Sequence, residues 1–421
     1  MGDGVQFTAD IKSGLFGRGP RAVDLLRAAH DCIAEMPVLD WLGTTTEDAD
    51  ETVVLMAGLH PAAEPFRITA YRYGRLILSA RTTGVGPGYH EYVCGIARRL
   101  ESALGIRWVA RPDEGDWTTF WDSGDSQAVK VAMLIWLRVV ARQAQPHIGV
   151  GTGIVLAMGT DVGFQSDLPI QTSMGPRDRN WLEAITKDPR AGYDIFPWWH
   201  TGQDAAFYLN RALSRMWTEV RWRAPVDDAE TRTIDRVLDD LGSAHRMDPS
   251  RSYPGREWQE LAAYRNRPVP DLPEAAPGVP LVGYRRRPVR VRHYGWTLQI
   301  PGSLGTPPAE GSFFASDSVR NVAMFVLTPK RGRMDPADFL GRAFPSSKPG
   351  LMVADGDGVS ARAAFVPPKS SDDAFLLSCA AVESRSGLSL WIASKDDGDR
   401  DWAVETWRSL RFDGAPLELD R

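Results

Sequence analysis

Arg285-Arg-Arg-Pro-Val-Arg-Val-Arg-His-Tyr-Gly-Trp-Thr-Leu-Gln-Ile-Pro301 is where this chain changes character. Upstream, the run from Arg265 to Arg292 holds Pro268, Pro270, Pro273, Pro277, Pro280 and Pro288. Prolines this dense favour an extended, semi-rigid spacer, so residues 266–292 read as a Pro/Arg-rich linker. Downstream, Trp296, Leu298 and Ile300 alternate, as in a half-buried strand. Arg285, Arg286, Arg287, Arg290 and Arg292 lie on the linker side. They read either as a solvated basic strap or as a capture site for an acidic partner or phosphate, which makes Arg285, Arg286 and Arg287 candidate binding residues.

Residues 293–421 read as one β-rich domain. Val322, Met324 and Val326 alternate within a second strand, and Asp335-Pro336-Ala337-Asp338 opens a helix with an N-cap Asp and a Pro at the first helical position. Strands follow at 359–366, 374–382 and 388–394, and Asp399 caps a last helix whose Ala403, Trp407 and Leu410 face a core. Three features, Trp296-Thr-Leu-Gln-Ile-Pro301, Phe313-Phe-Ala-Ser-Asp317 and Asp401-Trp402 with Trp407-Arg-Ser-Leu410, resemble the PsbP-like fold, an antiparallel sheet packed with helices. The resemblance covers about 125 residues. It implies an accessory or protein-binding module rather than a catalytic one.

Working back from the linker, residues 1–110 read as an α+β domain. A helix with Val23, Leu26, Ala29 and Ile33 on one face ends before Pro37, strands are predicted at 52–57, 66–73 and 75–80, and a helix from Tyr89 to Leu104 stops at Gly105. Residues 111–265 read as a helix-rich, Trp-rich region. Ser126 to Gln143 is apolar nearly all round, which predicts a buried central helix. The proline-punctuated stretch 163–200 reads as a long loop, and helices are expected at 204–222, 229–241 and 256–264. Of the chain's 15 tryptophans, ten lie between Trp108 and Trp258. They fill a core or form a recognition surface. The fold class is therefore α+β and multi-domain, with a C-terminal antiparallel sheet.

A net charge of −5 argues against nucleic acid or an anionic membrane as partner. Three scattered cysteines, Cys32, Cys94 and Cys379, fit a reducing compartment without disulfides. The polar opening from Met1 to Lys12 does not resemble a secretory signal, and the apolar run from Val129 to Ala141 is broken by Arg138 and too short to span a membrane. A cytoplasmic location is expected.

Two segments carry candidate chemistry. Thr83-Gly-Val-Gly-Pro-Gly-Tyr-His-Glu91 lies between a strand and a helix, so Gly84, Gly86 and Gly88 are candidates for cradling a cofactor's phosphate. Pro87 removes one donor, and the spacing matches no phosphate-loop motif. A tight turn is the other reading. His90 and Glu91 are candidate acid and base, with helix-end stabilisation by Glu91 as the alternative. In Phe196-Pro-Trp-Trp-His200, Trp198 and Trp199 are candidate partner-binding residues and His200 a candidate base oriented by Asp204. Two core tryptophans and a capping Asp204 make the plain alternative. The seven histidines are scattered without a metal-ligand spacing, Asp355-Gly-Asp357-Gly358 reads as a hairpin turn, and Asp161 sits in another turn. No metal and no cofactor are expected. The resulting expectation is a non-enzymatic protein- or ligand-binding protein of adaptor, immunity or accessory type, most simply bound to another protein. The alternative is a hydrolase or transferase with its site near His90 or His200.

Overall fold

Val5, Phe7 and Ala9 alternate into the core, and the strand they define, β1 (Gly4–Asp10), pairs on both sides. In a computed structural model the described residues are 4–11, 22–47, 52–71, 74–110, 115–148, 154–156, 158, 162–273, 280–306, 311–328, 335–344, 350–356, 358–366, 374–383 and 386–413. They form an α+β protein whose sheets are antiparallel, apart from one short parallel pair. Contacts divide it into two units. The first comprises Met1–Thr160, Ser166–Glu219 and Thr233–Gly283, and the second comprises Asp161–Gln165, Val220–Arg232 and Tyr284–Arg421.

The first unit is built on a six-stranded sheet. β2 (Trp41–Glu47), β3 (Thr52–Gly58), β4 (Phe66–Tyr71) and β5 (Arg75–Arg81) form a meander, and β1 and then β6 (Val109–Ala110) extend it beyond β5. The helices α1 (Ala22–Ala34) and α2 (Pro87–Leu104) pack on each other, α1 against β3 and β4 and α2 against β1. Gly105, left-handed at φ 62°, closes α2 as expected. The short α3 (Phe120–Ser123) precedes α4 (Ser126–Ala144), whose N-cap Asp125 accepts from the Gln127 and Ala128 N–H groups.

The expected boundary at residue 110 does not separate units, because α4 packs on α2. Nor is α4 buried all round. Val129, Met133, Leu137 and Ala141 form its buried stripe, whereas Val131 and Ile135 are exposed. Apolar composition overstated the burial, because only the i, i+4 stripe touches the neighbouring elements. The stretch read as a long loop contains structure. β7 (Ile154–Val155) pairs with β8 (Ile170–Thr172), and β8 with β9 (Gly175–Arg177). α5 (Arg179–Lys187) is capped by Asp178 and buries Leu182 and Ile185. Pro169 stands just before β8, and Pro176 sits in β9 at the sheet's edge, where a missing N–H costs least. Helices α6 (Ala205–Thr218), α7 (Asp228–Met247) and α8 (Gly255–Arg265) follow. Of the ten tryptophans between 108 and 258, Trp108, Trp198 and Trp258 are buried and the other seven partly buried, so none stands fully exposed.

The second unit begins inside the expected linker. β10 (Val289–His293) and β11 (Trp296–Ile300) form a hairpin, with Val289 and Val291 buried. Tyr294 (φ 46°) and Gly295 (φ 81°) make its two-residue turn, the left-handed pair that matches strand twist. Proline and arginine density masked this strand, because its arginines occupy only the outward positions. β12 (Ser312–Ser316), β13 (Arg320–Leu327), β14 (Met352–Gly356), β15 (Val359–Val366), β16 (Phe375–Glu383) and β17 (Ser386–Ser394) form a sheet in the order β12-β13-β17-β16-β15-β14. β14 and β15 form the hairpin expected around Asp355, whereas Asp357 and Asp161 lie outside the described residues. α9 (Pro336–Ala343), opened by N-cap Asp335, and α10 (Arg400–Arg408) complete the unit with β18 (Arg411–Phe412), which pairs with β11. Asp399 stands at the N-cap of α10 but makes no capping bond. Its carboxylate instead accepts from Arg320 (2.8 Å) and the Ser394 hydroxyl (2.7 Å).

Forcing a Cβ into a left-handed turn costs about 1–2 kcal/mol. Gly295→Ala is therefore expected to lower the stability of the second unit by that amount in denaturant titration. An unchanged midpoint would contradict the turn assignment.

Candidate functional site

The glycine turn and the Trp-Trp-His loop, two separate candidates in sequence, meet in the first unit. The Trp198 N–H donates to the Val85 carbonyl, and the Gly88 N–H donates to the Trp198 carbonyl, both at 3.0 Å. The backbones are so close that a Cβ on Gly88 would lie 2.3 Å from the His200 carbonyl oxygen. One on Gly86 (φ 121°) would lie 2.6 Å from that of Trp198. Glycine is needed here for close approach between chains. The Gly86 N–H is spent on the Thr82 carbonyl. With these donors occupied and the loop seated on it, the turn at Gly84, Gly86 and Gly88 is not a phosphate cradle.

The loop's side chains divide by burial. Trp198 is 1% exposed, with ring centres of Phe207 at 4.4 Å, Tyr92 at 5.0 Å, Tyr89 at 5.8 Å and His60 at 6.1 Å. It is a core residue, not a partner contact. Trp199 is half-buried against Phe196 and Tyr193. His200 is exposed, and Asp204 caps α6 by accepting from the Phe207 N–H at 2.9 Å. Asp204 thus serves the helix start.

His90 and Glu91, adjacent on α2, point apart, as i, i+1 residues do on a helix. Glu91 is buried and accepts from the Thr201 hydroxyl at 2.6 Å, tying α2 to the loop instead of stabilising the helix end. His90 is fully buried and enters a different network. Its Nδ1 lies 2.9 Å from the Thr82 hydroxyl, and its Nε2 lies 2.9 Å from the Thr118 hydroxyl and 3.0 Å from Asp116 Oδ1. Asp116 also accepts from the Thr118 N–H (2.8 Å), the Thr118 hydroxyl (2.7 Å) and the Trp121 N–H (2.7 Å). Burial alone would raise the Asp116 carboxyl. The hydrogen bond and charge interaction with His90, with the Thr118 and Trp121 bonds, hold it down at about 2. Cys94, one turn along α2, places its thiol within 4.8 Å of both the His90 and the Asp116 ligand atoms. Burial pushes this thiol upward. The i, i+4 spacing of His90 and Cys94 was a readable signal. Asp116, across a turn, had none.

A second polar cluster had no sequence signature. Arg215, 1% exposed, pairs with Asp240 at 2.7 Å and with Asp40, and Arg211 also holds Asp240 at 2.8 Å. Arg236 donates to the Asp40 carbonyl. The network ties the entry of β2 to α6 and α7. His60 is buried and its pKa well lowered, chiefly by burial and then by the charges of Arg211 and Arg215. It is therefore neutral, accepting from the Ala62 N–H at Nδ1.

In the second unit the arginine strap is not uniformly solvated. Arg285 is buried, with its guanidinium 5.7 Å from the Phe164 ring centre, and Arg286 stacks 3.6 Å over Trp222. Arg287 is exposed. Arg290 and Arg292 alternate outward from β10 and line an open cleft of about 370 Å³ with Gly163 and Thr297.

Removing the Trp198 indole is expected to cost about 3–5 kcal/mol of stability, as large aromatic truncations do. His200→Gln is expected to stay within about 0.5 kcal/mol. Asp116→Asn, which strips a buried pair of its charge, is expected to cost about 3–5 kcal/mol at neutral pH. Because the folded Asp116 value lies below the unfolded value of about 3.9, this contribution is complete above that pH. It falls away as pH drops toward 2. The gap between wild type and Asp116→Asn in urea melts should therefore shrink over that window, and a gap independent of pH there would disprove the assignment. No protein-family model matches this chain, and no curated protein matches it in sequence.

Proposed function

We propose that this chain is a non-enzymatic protein-binding protein of the adaptor, immunity or accessory type, and that its contact surface is the bare half of the sheet in the second unit. One observation carries this reading: an exposed aromatic ladder set among uncharged strand residues. Phe314, Phe325 and Trp391 stand on adjacent strands β12, β13 and β17, with ring centres 5.6 Å and 5.2 Å apart. Phe314 is 39% and Trp391 47% exposed. Strand pairing puts Ser312, Ser316, Asn321, Ala323, Leu327, Gly387, Ser389 and Ala393 on the same face. None of these carries a charge, in a chain that is 24% charged.

Aromatic enrichment with charge depletion is the signature of an interface centre, and water-facing apolar patches mark interaction sites. On the same face, α9 covers β15 and β16 through Leu340 and Phe344 packed on Ala364, Ala380 and Val382. Among the described residues, the sheet is thus half covered by its own chain and half open. The resemblance of residues 293–421 to the PsbP-like fold supports the same reading, since that fold mostly serves binding. Of the residues named for the catalytic alternative, His200 stands exposed while the others have structural partners. His90 is committed to a buried network, Asp204 to a helix cap and Glu91 to Thr201.

Trp391→Ala and Phe314→Ala are expected to weaken partner capture by at least about 2 kcal/mol, as truncation of an interface anchor does. Because both rings are exposed, thermal stability should move little. Crosslinking in the native host, followed by affinity measurement with the purified partner, checks this. A partner held equally well by both variants would refute the proposed surface.

A further inference from the structure

We propose that His90, Cys94 and Asp116 form a zinc site locking α2 to the turn at residues 115–121, a proposal independent of the binding function. The three offer one imidazole nitrogen, one thiol and one carboxylate oxygen, all within 4.8 Å of one another and buried. No other such group occurs among the described residues. Mixed S, N and O donors suit zinc, and a set that excludes hard, all-oxygen ions narrows the choice.

Three features distinguish this trio from a chance cluster. His90 and Cys94 are one helical turn apart, so both side chains leave α2 on the same side. His90 and Asp116 are also each held from behind. The Thr82 hydroxyl engages His90 Nδ1, leaving Nε2 to face Asp116, and the Trp121 N–H holds Asp116 Oδ2, leaving Oδ1 to face His90. Such hydrogen bonds on the far side of each ligand orient metal sites. Finally, a fourth donor atom, an oxygen, is in place. Thr118 Oγ1 lies 2.9 Å from His90 Nε2 and 2.7 Å from Asp116 Oδ1.

His90 and Asp116 also satisfy each other directly, so the decisive atom is the Cys94 sulfur. It is fully buried and has no hydrogen-bond partner among the described residues. Zinc bonds of about 2.0–2.3 Å set tetrahedral ligand atoms roughly 3.3–3.8 Å apart. The His90–Asp116 contact of 3.0 Å needs to open by only a few tenths of an ångström. On binding, the thiol gives up its proton to solvent, Nε2 donates its lone pair to the metal, and the imidazole proton resides on Nδ1, donating to Thr82. The ligands are closed off from solvent, which makes the site structural in type.

The full-length protein, stripped of metal in reducing buffer, is titrated with cobalt(II) as a spectroscopic stand-in and then with zinc. The expected result is a thiolate-to-cobalt charge-transfer band and tetrahedral visible bands saturating at one equivalent, and displacement by zinc. Cys94→Ser should lose the band, while Cys32→Ser and Cys379→Ser keep it. Thr82→Val should weaken metal affinity about 10–100-fold. Zinc X-ray absorption on the wild type needs no variant and should show one sulfur at about 2.3 Å with a nitrogen and oxygen shell. Absence of the band, its survival in Cys94→Ser, or a sulfur-free zinc shell would each overturn the site.

Discussion

The polar interior of the first unit depends on two backbones that touch. The segment from Trp198 to His200 lies against Gly86 and Gly88 so closely that neither glycine can carry a Cβ. Two backbone hydrogen bonds seal the contact and satisfy groups that would otherwise be buried without partners. The contact fixes where α2 begins and how it is rotated. That rotation aims Tyr89 at Trp198, sends Glu91 to Thr201 and turns His90 to the opposite side, toward Thr118 and Asp116. A side chain at Gly88 would displace the loop, and with it the Trp198 ring that fills the space among Tyr92, Phe207 and His60.

Local chemistry made much of the fold legible. Gly105 as a helix stop, Asp204 and Asp335 as helix starts, and the alternating strands of the second unit all act through neighbours in sequence. What escaped depends on long-range partners. Strand β10 hides among prolines and arginines because its pairing with β11 and Gly163, not its composition, decides its state. The stretch 163–200 looked irregular because its elements are short and its buried apolar residues few per turn. Helix α4 erred the other way: Val131 and Ile135 are as apolar as Val129 and Met133, and only packing tells them apart. The glycine turn and the Trp-Trp-His loop were each visible as unusual, but more than a hundred residues separate them. Sequence spacing carries no information on such an encounter.

The second unit is organised around its six-stranded sheet. Met324, Leu377, Leu388, Leu390 and Ile392 are buried, while Ala403 and Trp407 of α10 are buried beside β16 and β17. Arg320, at the start of β13, reaches Asp399 where α10 begins, and Ser394 at the end of β17 joins them. Asp399 is lowered first by its bond to Arg320, against burial. The expectation that Asp399 merely caps a helix missed this, because a capping position and a long-range ion pair compete for the same carboxylate.

Charge is distributed against the usual economy of a folded chain. Arg215, Asp240 and Asp116 are placed inside, where ion pairs lose most of their Coulombic gain to desolvation and rarely improve on well-packed apolar side chains. On the outer half-face of the second unit's sheet, where charge is cheap, the described residues of β12, β13 and β17 carry none and present three aromatic rings instead. Neither arrangement is what stability alone selects. Buried pairs exclude alternative packings by penalising any state that leaves one member unpaired, which suits elements that meet only through distant segments, as Asp40 meets α6 and α7. An uncharged aromatic face costs solubility unless something covers it. This cost is why the proposed contact surface is placed on the open half of that sheet rather than at the deeply committed histidine network.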